Sequence, residues 1–213
     1  MVQAVSSMKP HRTQAERRDQ SQRRLLEAAA ALIQERGMAA ATFENIGARA
    51  GYSRGLASRH FGSKQGLIEA LIARIQERRD DALDDDDRAG PEGLEGVLRF
   101  VDTYLDQVGS DGELRAYFIT LAAAVAEISE LRGLFAEAHK GVEQRLEALI
   151  LAGKAHGSVR SDVDADAAAL MIGSLLFGLS MQLLLDPEMD LQPIRQVSLA
   201  TLRLSLAPAA PTT

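Results

Sequence analysis

The chain has 213 residues, 46% of them apolar, no tryptophan and a formal net charge of −6, enough length to bury a core in one large or two small domains. No run approaches eighteen apolar residues and no continuous apolar stretch opens the chain, so neither a membrane span nor a secretory signal is expected. With no cysteine, disulfides, thiolate metal sites and cysteine nucleophiles are excluded, and a cytoplasmic location is expected.

The charge is unevenly divided. Met1–Asp80 carries 14 Lys and Arg against 8 Asp and Glu, and the remainder carries 10 against 22. A basic first third is the footprint of phosphate contact, and an acidic remainder suits a body held away from DNA. The histidines His11, His60, His139 and His156 are too scattered for a metal site, so no metal or cofactor is expected.

Residues 1–20 are polar, carry Lys9, Arg12, Arg17 and Arg18, and read as a flexible basic tail leading into a helix. Such an arm either adds DNA contacts or is simply solvated. The first long helix is predicted from Ser21 to Arg36, with Leu25, Ala29, Leu32 and Ile33 on one face and Gly37 at its end.

Thr42–Lys64 then reads as two short helices about a glycine turn. Thr42 caps the first, Phe43, Ile46 and Ala50 share its apolar face, and Gly51 supplies a left-handed reversal. Ser53 caps the second, which is basic and small: only Leu56, Ala57 and Phe61 can reach a core. Gly62 breaks it, and Ser63 caps a third helix from Lys64 to about Asp80 with Leu67, Ile68, Leu71, Ile72 and Ile75 on one face. This is a helix-turn-helix pattern, and a slim helix with two arginines suits the major groove.

Asp84–Asp87 before Gly90-Pro91 reads as a solvated acidic linker over 81–91, without the interleaved ligands of a calcium loop. Helices follow near 92–108, 112–128, 131–156, 164–185 and 190–206, punctuated by Gly109, Gly157, Pro187 and Pro193, with a proline- and alanine-rich disordered tail over 207–213. The helix from Asp164 to Leu185 is apolar on nearly all sides. Its small residues Ala169, Gly173, Ser174 and Gly178 permit close helix approach. With Leu170, Met181, Leu199 and Leu202 it suits a two-fold dimer interface, the alternative being burial within one bundle. Phe100, Tyr104, Tyr117, Phe118 and Phe177, with His139 and Met181, are candidates to line a mostly apolar ligand pocket, the alternative being plain core. Arg115 is the nearest cation in sequence for an anionic ligand group.

The stretch Thr42, Ile46, Ala50-Gly51, Ser53-Arg54-Gly55 and His60-Phe61-Gly62-Ser63-Lys64, followed by the apolar run from Leu67, resembles the DNA-binding domain of TetR-type transcriptional regulators. It departs at Ser58, where many members carry an aromatic residue. The resemblance implies an all-α chain of about nine helices, with an N-terminal three-helix helix-turn-helix domain (21–80) and a C-terminal helical bundle (92–206) that dimerises through its last two long helices. It implies a double-stranded operator DNA partner, contacted by Thr42, Ser53, Arg54, Gly55, Leu56, Ser58, Arg59, His60 and Lys64, and release by a small hydrophobic or amphipathic effector. The nucleophile-elbow, phosphate-loop and metal-hydrolase motifs of an enzyme are missing. The same fold without a ligand, or a helical protein-interaction module, are the alternative readings.

Overall fold

Thr13 starts the first helix, eight residues before the serine predicted to do so. Its hydroxyl accepts from Glu16 N–H at 3.2 Å while the Glu16 carboxylate accepts from Thr13 N–H at 2.8 Å, a reciprocal cap that satisfies two otherwise orphaned donors. The computed structural model describes residues 13–84, 92–127 and 130–209. Among them lie nine α-helices, a short 3-10 turn at Met38–Ala40 and no strand. Helix α1 spans Gln14–Arg36, so Arg17 and Arg18 stand on a helix and not on a flexible tail. Lys9, Arg12 and the rest of residues 1–12 lie outside the described residues, as do 85–91 of the acidic run and 210–213 of the tail.

Helices α2 (Phe43–Ala50) and α3 (Arg54–Phe61) follow the predicted caps, with Thr42 accepting from Asn45 N–H at 3.2 Å and Ser53 from Leu56 N–H at 3.1 Å. Gly51 takes φ 76°, ψ 28°, the left-handed conformation that glycine reaches at least cost. Gly47 is required for a different reason: a Cβ there would stand 2.9 Å from the carbonyl oxygen of Tyr52 and the carbonyl carbon of Ser53. Helix α2 therefore presses directly on the turn that launches α3. Leu25, Ile33, Ile46, Ala57, Phe61, Leu67 and Leu71 close this unit into one core, joined by Ala116 from the body.

Helix α4 (Lys64–Asp84) runs one turn further than predicted and joins two cores. Leu67 and Leu71 face the first core, whereas Ile68 and Ile72 belong to the core of the body. The body comprises α5 (Gly93–Ser110), α6 (Gly112–Ala126), α7 (Arg132–Ala155), α8 (Ala165–Leu185) and α9 (Leu191–Leu206). Gly109 and Pro193 lie inside α5 and α9 and do not end them: Asp111 separates α5 from α6, and proline is tolerated in a first turn, where its missing N–H has no helical partner. Asp111 and Asp164 cap α6 and α8, their carboxylates accepting from Glu113 and Ala167 N–H at 2.8 and 3.2 Å. Arg195 of α9 grips Asp102 of α5, with Nη2 to Oδ2 at 2.6 Å, and Arg203 pairs with Glu95 on the same two helices.

Helix α8 alone among the described helices is long and apolar enough to cross a membrane by length and composition, although Gly, Ser and Gln residues interrupt its apolar run. Only one face of it is covered within the chain, through Ala165, Ala169, Ile172, Leu176, Ser180 and Leu183. Leu170 and Met171, each 52% exposed, and Leu175 lie on its open face, and Val197 and Leu204 of α9 are exposed as well.

Candidate DNA-binding surface and effector pocket

The short helix α3 presents an open polar face. Ser53, Arg54, Gly55 and Arg59 are exposed, Leu56 and Ser58 are half-buried, and Ala57 and Phe61 anchor the helix from beneath. The two cap hydroxyls, of Thr42 and Ser53, each accept a backbone N–H and keep their own O–H group. Lys64 is exposed on the first turn of α4, at the rim of a groove shared with Glu127 and Glu130. His60 points elsewhere: its Nε2 lies 2.8 Å from the Ser21 hydroxyl on α1, so it brackets α3 to α1. Burial, with smaller contributions from Arg18 and Arg59, lowers its pKa and favours the neutral ring. Sequence periodicity gave no sign of this bracket, nor of the two-pronged pair between Arg49 of α2 and Glu35 of α1, which ties α2 to α1.

The second site is a cavity of about 300 Å³ bounded by α4, α5, α6, α7 and α8. Tyr104, Tyr117, Phe118, His139 and Phe177 all line it, so five of the seven predicted pocket residues converge. The rings meet mostly edge to face: Tyr117 and Phe118 have centroids 5.1 Å apart at 85°, and His139 and Phe177 stand 5.4 Å apart at 75°. Phe100 and Met181 do not line it. Phe100 is fully buried in the body core one turn before Tyr104, and Met181 packs against that core one turn beyond Phe177. Arg115 is not in the wall either; the charged lining residue is Glu143. His139 and Glu143 stand four residues apart on α7 and so share a face, a signal that was legible in sequence. Tyr104 is oriented by a 2.7 Å hydrogen bond between its hydroxyl and Ser180.

The pocket also takes Ile72, Ile75 and Gln76 from α4, which sequence periodicity reads only as a core stripe. One helix thus forms the pocket wall at its middle and carries α3 at its start. An ion-pair cluster fixes it just beside the pocket. Arg74 Nε donates to both Glu113 oxygens at 2.8 Å, and Arg78 reaches Glu113 at 3.3 Å and Asp111 at 2.9 Å. Glu113 is 5% exposed, and it sits with Asp111 at the N-terminus of α6, where backbone N–H groups favour carboxylates.

Of the predicted interface residues, Leu170, Ser174 and Gly178 lie on the open face of α8, while Gly173, Met181 and Leu199 are half-buried. Leu202 is a correction. It is 2% exposed, because the α9 face carrying Ser198, Leu202 and Leu206 is the one turned into the body.

Comparison with known proteins agrees with this geometry. The family "Bacterial regulatory proteins, tetR family" matches residues 25–71, and "BetI-type transcriptional repressor, C-terminal" matches residues 93–207. The chain is 27% identical over 181 residues to the HTH-type transcriptional regulator TtgR of Pseudomonas putida, covering 81% of this chain and 84% of that protein. Its fold is similar to that of the fatty acid degradation regulator FadR from Bacillus halodurans, with a TM-score of 0.76 at 22% identity over 86% of this chain and 94% of the other. It is also similar to SmeT in its triclosan complex, with a TM-score of 0.75 at 24% identity over 91% and 95%. With a helix-turn-helix unit at one end of α4 and a BetI-type body around the other, the chain belongs to the TetR family and is a DNA-binding transcriptional regulator, not an enzyme.

Proposed function

We propose that the protein is a ligand-responsive repressor that binds a pseudo-palindromic operator as a homodimer and is released by a small molecule held in the aromatic pocket. In this reading α3 of each copy enters one of two successive major grooves, about 34 Å apart. Arg54 and Arg59 contact base edges or flanking phosphates, Ser53, Gly55, Leu56 and Ser58 allow close approach, and Thr42 and Lys64 hold phosphates. His60 serves as the bracket to α1. The open faces of α8 and α9 meet their copies in a four-helix interface: Leu170, Met171 and Leu175 of α8 and Val197 and Leu204 of α9 are large apolar side chains left exposed, and such exposure asks for cover. Covering it with a second copy leaves α8 buried on both sides, as its composition requires without any membrane.

One observation carries the switch. Ile72, Ile75 and Gln76 line the pocket on the same helix whose first turn follows α3. At 1.5 Å per residue the contact lies about 12–18 Å from the start of α4, so a small tilt there is carried to the recognition helix. Release then requires only that the ligand prefer the tilted state by a few kcal/mol.

The test is fluorescence anisotropy on DNA flanking the gene, at two salt concentrations. A steep salt slope is expected. Arg54→Ala should cost about 1–3 kcal/mol on the preferred sequence, and Lys64→Ala should weaken all sequences alike and reduce the slope by about one. A folded Arg54→Ala protein with unchanged affinity would remove α3 as the reading element.

A further inference from the structure

The cavity wall has two parts. Buried apolar and aromatic side chains, Leu114, Tyr117, Phe118 and Leu176 among them, make one. Four polar side chains from four helices make the other: Gln76 of α4, Gln107 of α5, Glu143 of α7 and Ser174 of α8. The first three are half-buried and Ser174 is exposed. Glu143 lies against α8 beside Ser174, since a Cβ added at Gly173 would stand 3.8 Å from its Cγ. None of the four side chains forms a hydrogen bond or an ion pair with another of the described residues. The fold thus brings four polar groups to one cavity without using them, and a molecule with an apolar ring body and a polar end satisfies both parts of the wall.

The donors and acceptors of the wall decide what that polar end is. Gln76 and Gln107 each offer an amide NH₂ and a carbonyl oxygen, and Ser174 offers a hydroxyl, so all three can donate to an anion or accept from a cation. They set no preference of sign. Glu143 does, because a carboxylate only accepts and carries negative charge. Among the described residues no lysine or arginine lines the cavity, and burial lowers the His139 pKa, so that ring brings no positive charge near pH 7. An anionic end would find donors on Gln76, Gln107 and Ser174, but in one cavity with a carboxylate that no cation of the wall offsets. A cationic end is attracted by Glu143, and the same three side chains turn their oxygens toward it. An ammonium that keeps its N–H groups can donate to all four, in charge-assisted bonds, whereas a quaternary ammonium has no N–H to give. The edge-to-face rings suit a flat aromatic body, and about 300 Å³ admits one of two rings.

We infer that the effector is an aromatic amine bound as its protonated, N–H-bearing ammonium, and that Glu143 is the residue that selects its charge. The inference rests on the reading of the cavity as the effector site.

The experiment compares four probes that share one ring body and differ at the end: tryptamine (ammonium), tryptophol (hydroxyl), indoleacetate (carboxylate) and trimethylated tryptamine (quaternary ammonium). Binding is measured by calorimetry at pH 7 on the full-length protein, on E143Q, which keeps the shape and removes the charge, and on Q107L. Tryptamine should bind the wild type most tightly and indoleacetate most weakly. E143Q should lower the tryptamine-to-tryptophol affinity ratio about tenfold, the range of a hydrogen bond to a charged group, while tryptophol binding holds within about twofold. Its melting temperature without ligand should match the wild type's. Q107L should weaken tryptamine and tryptophol together and leave their ratio in place, since an amide reads no sign. A loss in E143Q shared equally by tryptamine and tryptophol shows Glu143 to be wall and not a charge selector. That result, a wild-type preference for indoleacetate, or a quaternary probe that binds as tightly as tryptamine, overturns the inference while leaving the effector site in place. Binding of none of the four to the wild-type protein overturns the effector site and the inference with it.

Discussion

Replacing Glu113 by alanine should destabilise the protein and loosen the helix that joins its two sites. Glu113 is almost fully buried, and its carboxylate takes two 2.8 Å hydrogen bonds from Arg74 and one of 3.3 Å from Arg78. Removing one partner of a buried pair leaves the other charge uncompensated, at about 3–5 kcal/mol when burial is complete. Here the loss is partly relieved. Arg74, with its side chain 17% exposed, keeps Glu27 at 3.4 Å, and Arg78 keeps Asp111 at 2.9 Å. A cost of about 2–3 kcal/mol is therefore expected in urea unfolding monitored by circular dichroism. Glu27→Ala, which removes an exposed partner, should cost no more than about 1 kcal/mol and serves as the control. The cluster joins α4 to α6 beside Ile75 and Gln76, so Glu113→Ala should also shrink the factor by which a pocket ligand weakens operator binding. If Glu113→Ala is no less stable than the Glu27→Ala control, the cluster does not hold α4 and this route of coupling is wrong.

Three further outcomes follow from particular contacts. Gly47→Ala should destabilise by about 1–3 kcal/mol despite alanine's better helix propensity, because the new Cβ meets backbone at 2.9 Å and not a side chain that can swing away; an unchanged melting temperature would count against that close approach. Stability should fall as pH drops below about 6.5, since His60 and His139, their pKa values lowered in the fold, take up protons more readily once unfolded. Above that pH both states are neutral there and the contribution is constant, so melting curves at pH 7.5 and 5.5 should differ less for H139F than for the wild type. Gly178→Leu, placed on the open face of α8 with nothing nearby among the described residues, should leave the fold intact but shift sedimentation toward monomer and weaken operator binding with it.

The helix-turn-helix was legible because its signals are local. Thr42, Ser53 and Gly51 each act on the turn in which they stand, and the structure gives each the predicted role. The start of α1 was equally local, written in Thr13 and Glu16, but apolar periodicity begins only at Leu25 and hides the polar first turns. The pocket was legible in part. Scarce aromatics on α5, α6 and α8 pointed to Tyr104, Tyr117, Phe118 and Phe177, yet the same reasoning included Phe100, which one turn of α5 carries into plain core. The contribution of α4 could not be read, because Ile68, Ile72 and Ile75 look alike in sequence and only the docking of five helices decides which of them meet a cavity. Composition likewise marked α8 as apolar all round, without saying that a single chain covers only one of its faces.

The central claim, that a molecule in the aromatic pocket controls the recognition helices through α4, is tested most directly by a linkage measurement. Affinity for operator DNA is determined by anisotropy with and without a saturating pocket ligand, and affinity for that ligand is determined with and without saturating operator. The two affinities should fall by the same factor, about tenfold or more, as reciprocity demands of coupled sites. A ligand that occupies the pocket, stabilises the protein and leaves operator affinity unchanged would contradict the account.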